Sequence, residues 1–237
     1  MTKKLRGLTA AALAATALFA AQPAAADIIE LDSWWAGHST DHISYAGLPF
    51  NVNANEQVGG FKTINHTTGS TFQSFCVDIF DSFSFGATSN STEVPAATIV
   101  SAQAAADLGL LYTEHHAAID SNSSTGANEA AFQLAVWEIV NEGGSGAYDL
   151  SSGKFTASGN DVSLAQEWLN GLLGSDTPPS KYTARFWTVD SMRTTALGHA
   201  QDVVVFAPVP EPQTYAMMLV GLGLLGFSAR RKSQNLS

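Results

Sequence analysis

The apolar positions change period twice along the chain. From Asp27 to about residue 85 they come in short runs separated by turn formers. Ile28, Ile29, Leu31, Trp34 and Trp35 open the segment. Ile43-Ser44-Tyr45, Phe50-Asn51-Val52 and Phe61-Lys62-Thr63-Ile64 follow, punctuated by Gly47, Asn53-Ala54-Asn55, Gly59-Gly60 and Gly69. Such runs predict short strands. Phe72 to Phe80 is the clearest: Phe75, Val77 and Ile79 alternate with Ser74, Cys76 and Asp78, which places Cys76 on the more polar face.

Between residues 95 and 174 the spacing lengthens to that of helices. Ile99, Ala102, Ala106 and Leu110 predict a helix from Pro95 to about Tyr112. Phe132, Ala135, Val136, Ile139 and Val140 predict a second over residues 127–141, stopped at Gly143-Gly144. Leu164, Trp168 and Leu172 predict a third, from Asp161 to Gly174. Tyr182 to Val189 and Asp202 to Phe206 return to strands. The order predicts an α+β domain: a β-sandwich or partly closed β-barrel (strands in 27–85 and 181–207) with an inserted helical lobe (95–174).

Both ends read as addresses. Lys3, Lys4 and Arg6 precede an uncharged run from Leu8 to Ala21, and Ala24-Ala25-Ala26 supplies small residues for cleavage. Residues 1–26 therefore read as a secretory signal peptide, with 27–208 as the exported domain. In residues 209–237, Pro210-Glu211-Pro212 precedes an apolar stretch from Tyr215 to Phe227 and the basic Arg230-Arg231-Lys232. At ~1.5 Å per residue that stretch covers ~20 Å of a ~30 Å hydrocarbon core, so flanking residues would have to help it span. The basic cluster is expected on the cytoplasmic side.

The tail resembles the PEP-CTERM sorting signal of Gram-negative bacteria. The resemblance implies recognition by an exosortase-type enzyme, transient anchoring in the inner membrane, removal of the tail, and delivery to the cell surface or extracellular matrix.

Charge sharpens this picture. The chain has 11 basic and 21 acidic residues, and residues 27–208 keep only five of the basic ones but 20 of the acidic ones, a net charge near −15. Such a surface repels nucleic acid and anionic lipid. There is one cysteine, Cys76, so no disulfide framework exists within the chain.

Cys76 and Gln133 are the candidate chemistry. Cys76 lies in Phe75-Cys76-Val77-Asp78 on a predicted strand, and Gln133 in Gln133-Leu134-Ala135-Val136-Trp137 on a predicted helix. Trp137, one helical turn on, shares the side of Gln133. A thiolate and a carboxamide shielded from water permit attack of sulfur on the amide carbon, loss of ammonia and formation of a thioester. Asp78 or Glu138 would be candidate proton carriers. The two segments resemble the internal-thioester domains of bacterial surface adhesins, which carry an aromatic-Cys-aliphatic-acidic motif before a helical region and a Gln-x-Ala-aliphatic-Trp motif on a helix. The resemblance implies a Cys76–Gln133 cross-link that acylates an amine on a partner surface. The competing reading of the same residues is a small buried cysteine and a glutamine on the lobe surface.

The remaining candidates carry less. The pairs His38/His42 and His115/His116 lack zinc-site spacing and read as loop histidines, so no metal or cofactor is expected. Trp34, Trp35 and Trp187 read as core residues ahead of a sugar platform. No assembled nucleophile–base–acid set favours an enzyme with turnover. The expected function is a self-acting adhesion module; the alternative is a non-covalent structural or carbohydrate-binding component of a biofilm polysaccharide matrix.

Overall fold

The computed structural model describes residues 26–47, 51–120, 124–143, 147–172, 180–189, 201–209 and 217–224. Among the described residues nine strands occur in the order β1 (Asp27–Trp34), β2 (Ser39–Ala46), β3 (Asn51–Val58), β4 (Phe61–Asn65), β5 (Ser70–Cys76), β6 (Thr88–Pro95), β7 (Phe155–Ser158), β8 (Tyr182–Val189) and β9 (Val203–Pro208). The helices α1 (Ala102–Ile119), α2 (Gly126–Glu142) and α3 (Val162–Gly171) lie between β6 and β8.

Six strands close into an antiparallel barrel in the order β1-β4-β5-β9-β8-β6. The fold is α+β as expected, and the barrel is fully closed. Closure removes the exposed edges that an open sheet would offer. The closing strand β6 was not expected, because Thr88-Ser89-Asn90-Ser91 has no apolar alternation. Ser89 and Ser91 instead line a cavity of about 320 Å³ beside Ile29, Leu31, Trp187 and Val203, so this strand needs no apolar face. A separate sheet, β3-β2-β7, is built from the β2–β3 hairpin and a short strand inside the helical region.

The first helix begins later than the apolar stripe suggested. Pro95 leads into a single 3-10 turn, Ala96–Thr98, and α1 starts after Ser101, whose side chain accepts the Ala104 N–H. α1 then runs on to Ile119, which puts His115 and His116 on a helix rather than in a loop; His115 stacks on Trp168 at 4.4 Å.

α2 organises the molecule. Thr125 caps its start by accepting from Asn128 N, and Gly143, at φ 76°, ends it in the left-handed conformation. Every residue from Glu129 to Ile139 is buried. The helix has no solvent side, because β5, α1, α3, β7 and the β2–β3 sheet surround it. Phe132 meets Phe75 of β5 at 4.5 Å and Trp168 of α3 at 6.4 Å. Gln133 is therefore a core residue, not one of the lobe surface.

Candidate functional site

β5 ends at Cys76 because its two neighbours stop at different points. On one side β9 continues: Val77 N–H donates to Asp202 O at 3.0 Å. On the other, β4 begins at Phe61, which pairs with Ser74, so no β4 residue reaches Cys76. Backbone groups alternate sides along a strand, so the N–H and C=O of Cys76 face the side that β4 has left empty.

The side chain of Gln133 fills that place. Its Oε1 accepts from Cys76 N at 2.8 Å and its Nε2 donates to Cys76 O at 2.7 Å. The carboxamide acts as one peptide unit of a missing strand. Gln133 is 1% exposed and Cys76 6%. Cys76 thus belongs to the core, in contrast to the polar-face assignment, because its side of β5 is covered at the strand end by α2 and the start of β9.

The close approach of α2 to this end of the barrel depends on Gly60. A β-carbon there would stand 2.3 Å from Glu129 Oε2 and 2.9 Å from the Phe75 ring. Glu129 is wholly buried and accepts from Gln73 Nε2 and Ser124 Oγ, each at 2.8 Å. Burial raises its pKa to about 7 against those two hydrogen bonds.

Cys76, Gln133, Trp137 and Asp78 share the lining of one cavity of about 300 Å³, whose outer wall includes Ile43 of β2 and Glu56 and Gln57 of β3. The Cys76 thiol donates to Asp78 O at 3.3 Å. Burial pushes its pKa well up, the Trp137 side chain pulls the other way, and the charge of Asp78 adds to the rise. The thiol is therefore held protonated. The Asp78 carboxylate is turned to Phe80 N at 2.8 Å, so Asp78 meets the sulfur with its carbonyl and not its acid group.

Glu138 is not at the cavity. It points to the other side of α2, where Oε1 accepts from Asp149 N at 2.8 Å and Oε2 is buried without a donor. Burial raises its pKa to about 7. Gln201 is a residue that the sequence did not single out. It donates from Nε2 to the Asp78 carbonyl that receives the thiol proton, and it lines both the Cys76 cavity and the barrel cavity. It precedes β9 in a stretch with no periodic pattern, which left no signal to find it by.

Trp34 packs in an aromatic cluster with Phe61, Phe83, Phe85 and His38, and Trp187 is buried against Phe72. Trp35 is partly exposed. Among the described residues no group of three or more His, Cys, Asp or Glu is arranged to hold a metal ion.

The barrel closes at its last strand: Pro208 pairs with Tyr182, and Val209 N–H donates to Lys181 O at 2.8 Å. Residues 208–232 match the family model of the PEP-CTERM protein-sorting motif. The PEP-CTERM motif marks the chain as exported, surface-associated, transiently held at the membrane and processed by an exosortase. It starts on Pro208, the last residue of β9. Within it, residues 217–224 form an exposed helical run. Pro210, Glu211, Pro212, Arg230 and Arg231 lie outside the described residues, as does the N-terminal stretch 1–25. Among the described residues no helix is long and apolar enough to cross a membrane. No curated protein and no solved structure matches the chain.

Proposed function

We propose that the protein is an adhesion module of a Gram-negative cell surface or its polysaccharide matrix, released before Asp27 and after the barrel, and that it carries an internal Cys76–Gln133 thioester. The supporting observation is the pinning of the Gln133 carboxamide to the backbone of Cys76, two buried residues that line the same cavity. Fixing a nucleophile's residue and its target in one geometry removes most of the entropic cost of meeting.

The chemistry is self-acting and balances without a co-reactant. The Cys76 sulfur bonds to the Gln133 side-chain carbonyl carbon, the carbon–nitrogen bond breaks, and the thiol proton leaves with the nitrogen as ammonia. Negative charge developing on Oε1 meets the Cys76 N–H already directed at it. The raised thiol pKa makes this step slow, which suits a bond formed once after folding rather than a turnover cycle. An incoming primary amine then attacks the thioester carbonyl, forms an amide at Gln133 and returns the Cys76 thiol.

Methylamine tests the reading. The exported protein should incorporate it at Gln133 and in the same step gain a titratable thiol at Cys76, and Cys76→Ala should do neither. A wild-type thiol already free before treatment, with no incorporation afterwards, contradicts the reading.

A second reading is non-covalent binding of matrix polysaccharide. It is supported by the barrel cavity, whose lining includes Ser82, Ser84, Ser89, Ser91 and Trp187. In that case Gln133 serves only to finish the β5 ladder, and Trp187→Ala, not Cys76→Ala, should weaken retention on the matrix.

A further inference from the structure

β5 and β9 complete the barrel through two residue pairs, Phe75 with Val204 and Cys76 with Val203. Toward the other end of the seam, residues 70–74 of β5 and 205–208 of β9 have no ladder partner in each other, although β4 and β8 pair with them on their far sides. A cavity of about 400 Å³ is lined by both parted segments, a volume within the ~300–1,000 Å³ of small-ligand sites. Phe72 of β5, Val205 and Phe206 of β9 and Trp187 of β8 contribute its apolar walls. Phe72 and Trp187 are stacked, with ring centroids 6.3 Å apart, and Tyr112 of α1 stacks on Phe206 at 4.2 Å. The lining reaches from Asp27, the first residue of β1, to Trp35, just past the end of that strand and partly exposed.

The polar part of the lining is one-sided. Asp27, Glu93 and Asp120 bring carboxylates, and no Lys, Arg or His is among the described lining residues. Glu93 is ion-paired with Arg185. Neutral groups contact the other two: Asn65 Nδ2 donates to Asp27 Oδ2 at 2.8 Å, and the Tyr112 hydroxyl to Asp120 Oδ2 at 2.7 Å. Gln73 Nε2 is turned to Glu129 Oε2 at 2.8 Å. The side-chain donors of Asn65, Tyr112 and Gln73 are thus directed at protein acceptors. A carboxylate offers about four lone-pair sites, so Asp27 and Asp120 keep acceptor capacity. The cavity therefore favours a ligand that brings donors and positive charge and has a face to lay on aromatic rings. A uronate, sulfate or phosphate group would be repelled.

We propose that this seam cavity binds an amine-bearing saccharide, a hexosamine whose nitrogen is not acylated. The ammonium group meets the carboxylates and the aromatic faces, both of which attract a cation. The ring, with its apolar C–H face, occupies the space between the walls that an alkylammonium chain would leave to water. The site is separate from the two cavities already described: Trp187 is the one residue it shares with the barrel cavity, and neither Cys76 nor Gln133 lines it. It requires no thioester.

Calorimetric titration of the exported protein with a glucosamine hexamer tests this, at a pH where the amines are charged. The N-acetylglucosamine and glucose hexamers serve as controls. The glucosamine hexamer should bind, more weakly as salt is added, and the two controls should not. Asp120→Asn removes one charge and leaves an acceptor for the Tyr112 hydroxyl; Trp35→Ala removes a partly exposed ring. Both side chains are at the surface, so both variants should fold, and each should weaken binding about five- to tenfold. Cys76→Ala should bind as the wild type does, which separates this site from the thioester. A wild type that does not bind the glucosamine hexamer overturns the proposal. So does equal affinity for the acetylated or the glucose hexamer, or binding that neither Asp120→Asn nor Trp35→Ala changes.

Discussion

Gln133 is hydrogen-bonded to Cys76 as a neighbouring strand would be, with Oε1 on its N–H at 2.8 Å and Nε2 on its C=O at 2.7 Å. One side chain thereby links the central helix to the end of a barrel strand. The same contact holds a carboxamide beside the residue that bears the only thiol in the chain.

Gln133→Ala should be costly whatever the chemistry. It orphans the N–H and C=O of a buried residue, a loss of about 2–4 kcal/mol. Denaturant unfolding of the variant should show a lower midpoint with an unchanged slope. Gln133→Glu should recover part of the loss at acid pH, where a protonated carboxyl donates to Cys76 O, and lose it as the pH rises.

Gly60→Ala should destabilise by about 1–3 kcal/mol, since the new methyl would meet Glu129 Oε2 and the Phe75 ring. The neighbouring Gly59→Ala meets the Gly37 carbonyl at 2.8 Å, outside the α2 contact, and should leave the Gln73–Glu129 hydrogen bond intact. Side-chain amide NMR of Gln73 distinguishes the two variants.

Glu138 should make stability fall with rising pH. Burial lifts its folded-state pKa to about 7 from an ordinary value of 4.5. The native state then binds its proton more tightly than the unfolded chain does. The stabilisation is complete below pH 4.5 and is lost as the pH climbs through about 7. Glu138→Gln should match the wild type in acid and exceed it above pH 7 by an amount on the order of 1–2 kcal/mol, measured as the difference between the two unfolding curves.

Deleting residues 210–232, the part of the matched tail that follows the barrel pairing of Pro208 and Val209, should abolish exosortase processing. Comparing the C-terminal peptide of the intact and deleted forms by mass spectrometry checks this: the wild type should lose its tail and the deleted form should show no further trimming.

The parts of this architecture that were legible in sequence are those with one-sided periodicity. β1, β4 and β8 each show apolar runs bounded by turn residues, and α2 is closed by a glycine where one is needed. β6 was hidden because its inner face is built of serines around a cavity, so apolar alternation never arises. The start of α1 is not legible in the stripe because Ile99 and Ala102 continue it across a 3-10 turn that only the Ser101 cap resolves. For the site, the residue types and the 57-position separation of Cys76 and Gln133 were visible, but not how they are held. That depends on where β4 stops, which is a property of strand register. Gln201 was silent for the same reason, since it acquires its meaning from tertiary contact alone.

The thioester is tested most directly by the intact mass of the exported protein. The account predicts a wild type lighter than its sequence mass by one ammonia and a Cys76→Ala variant at full mass. A wild type at full sequence mass, with Cys76 fully titratable in denaturant, would contradict it.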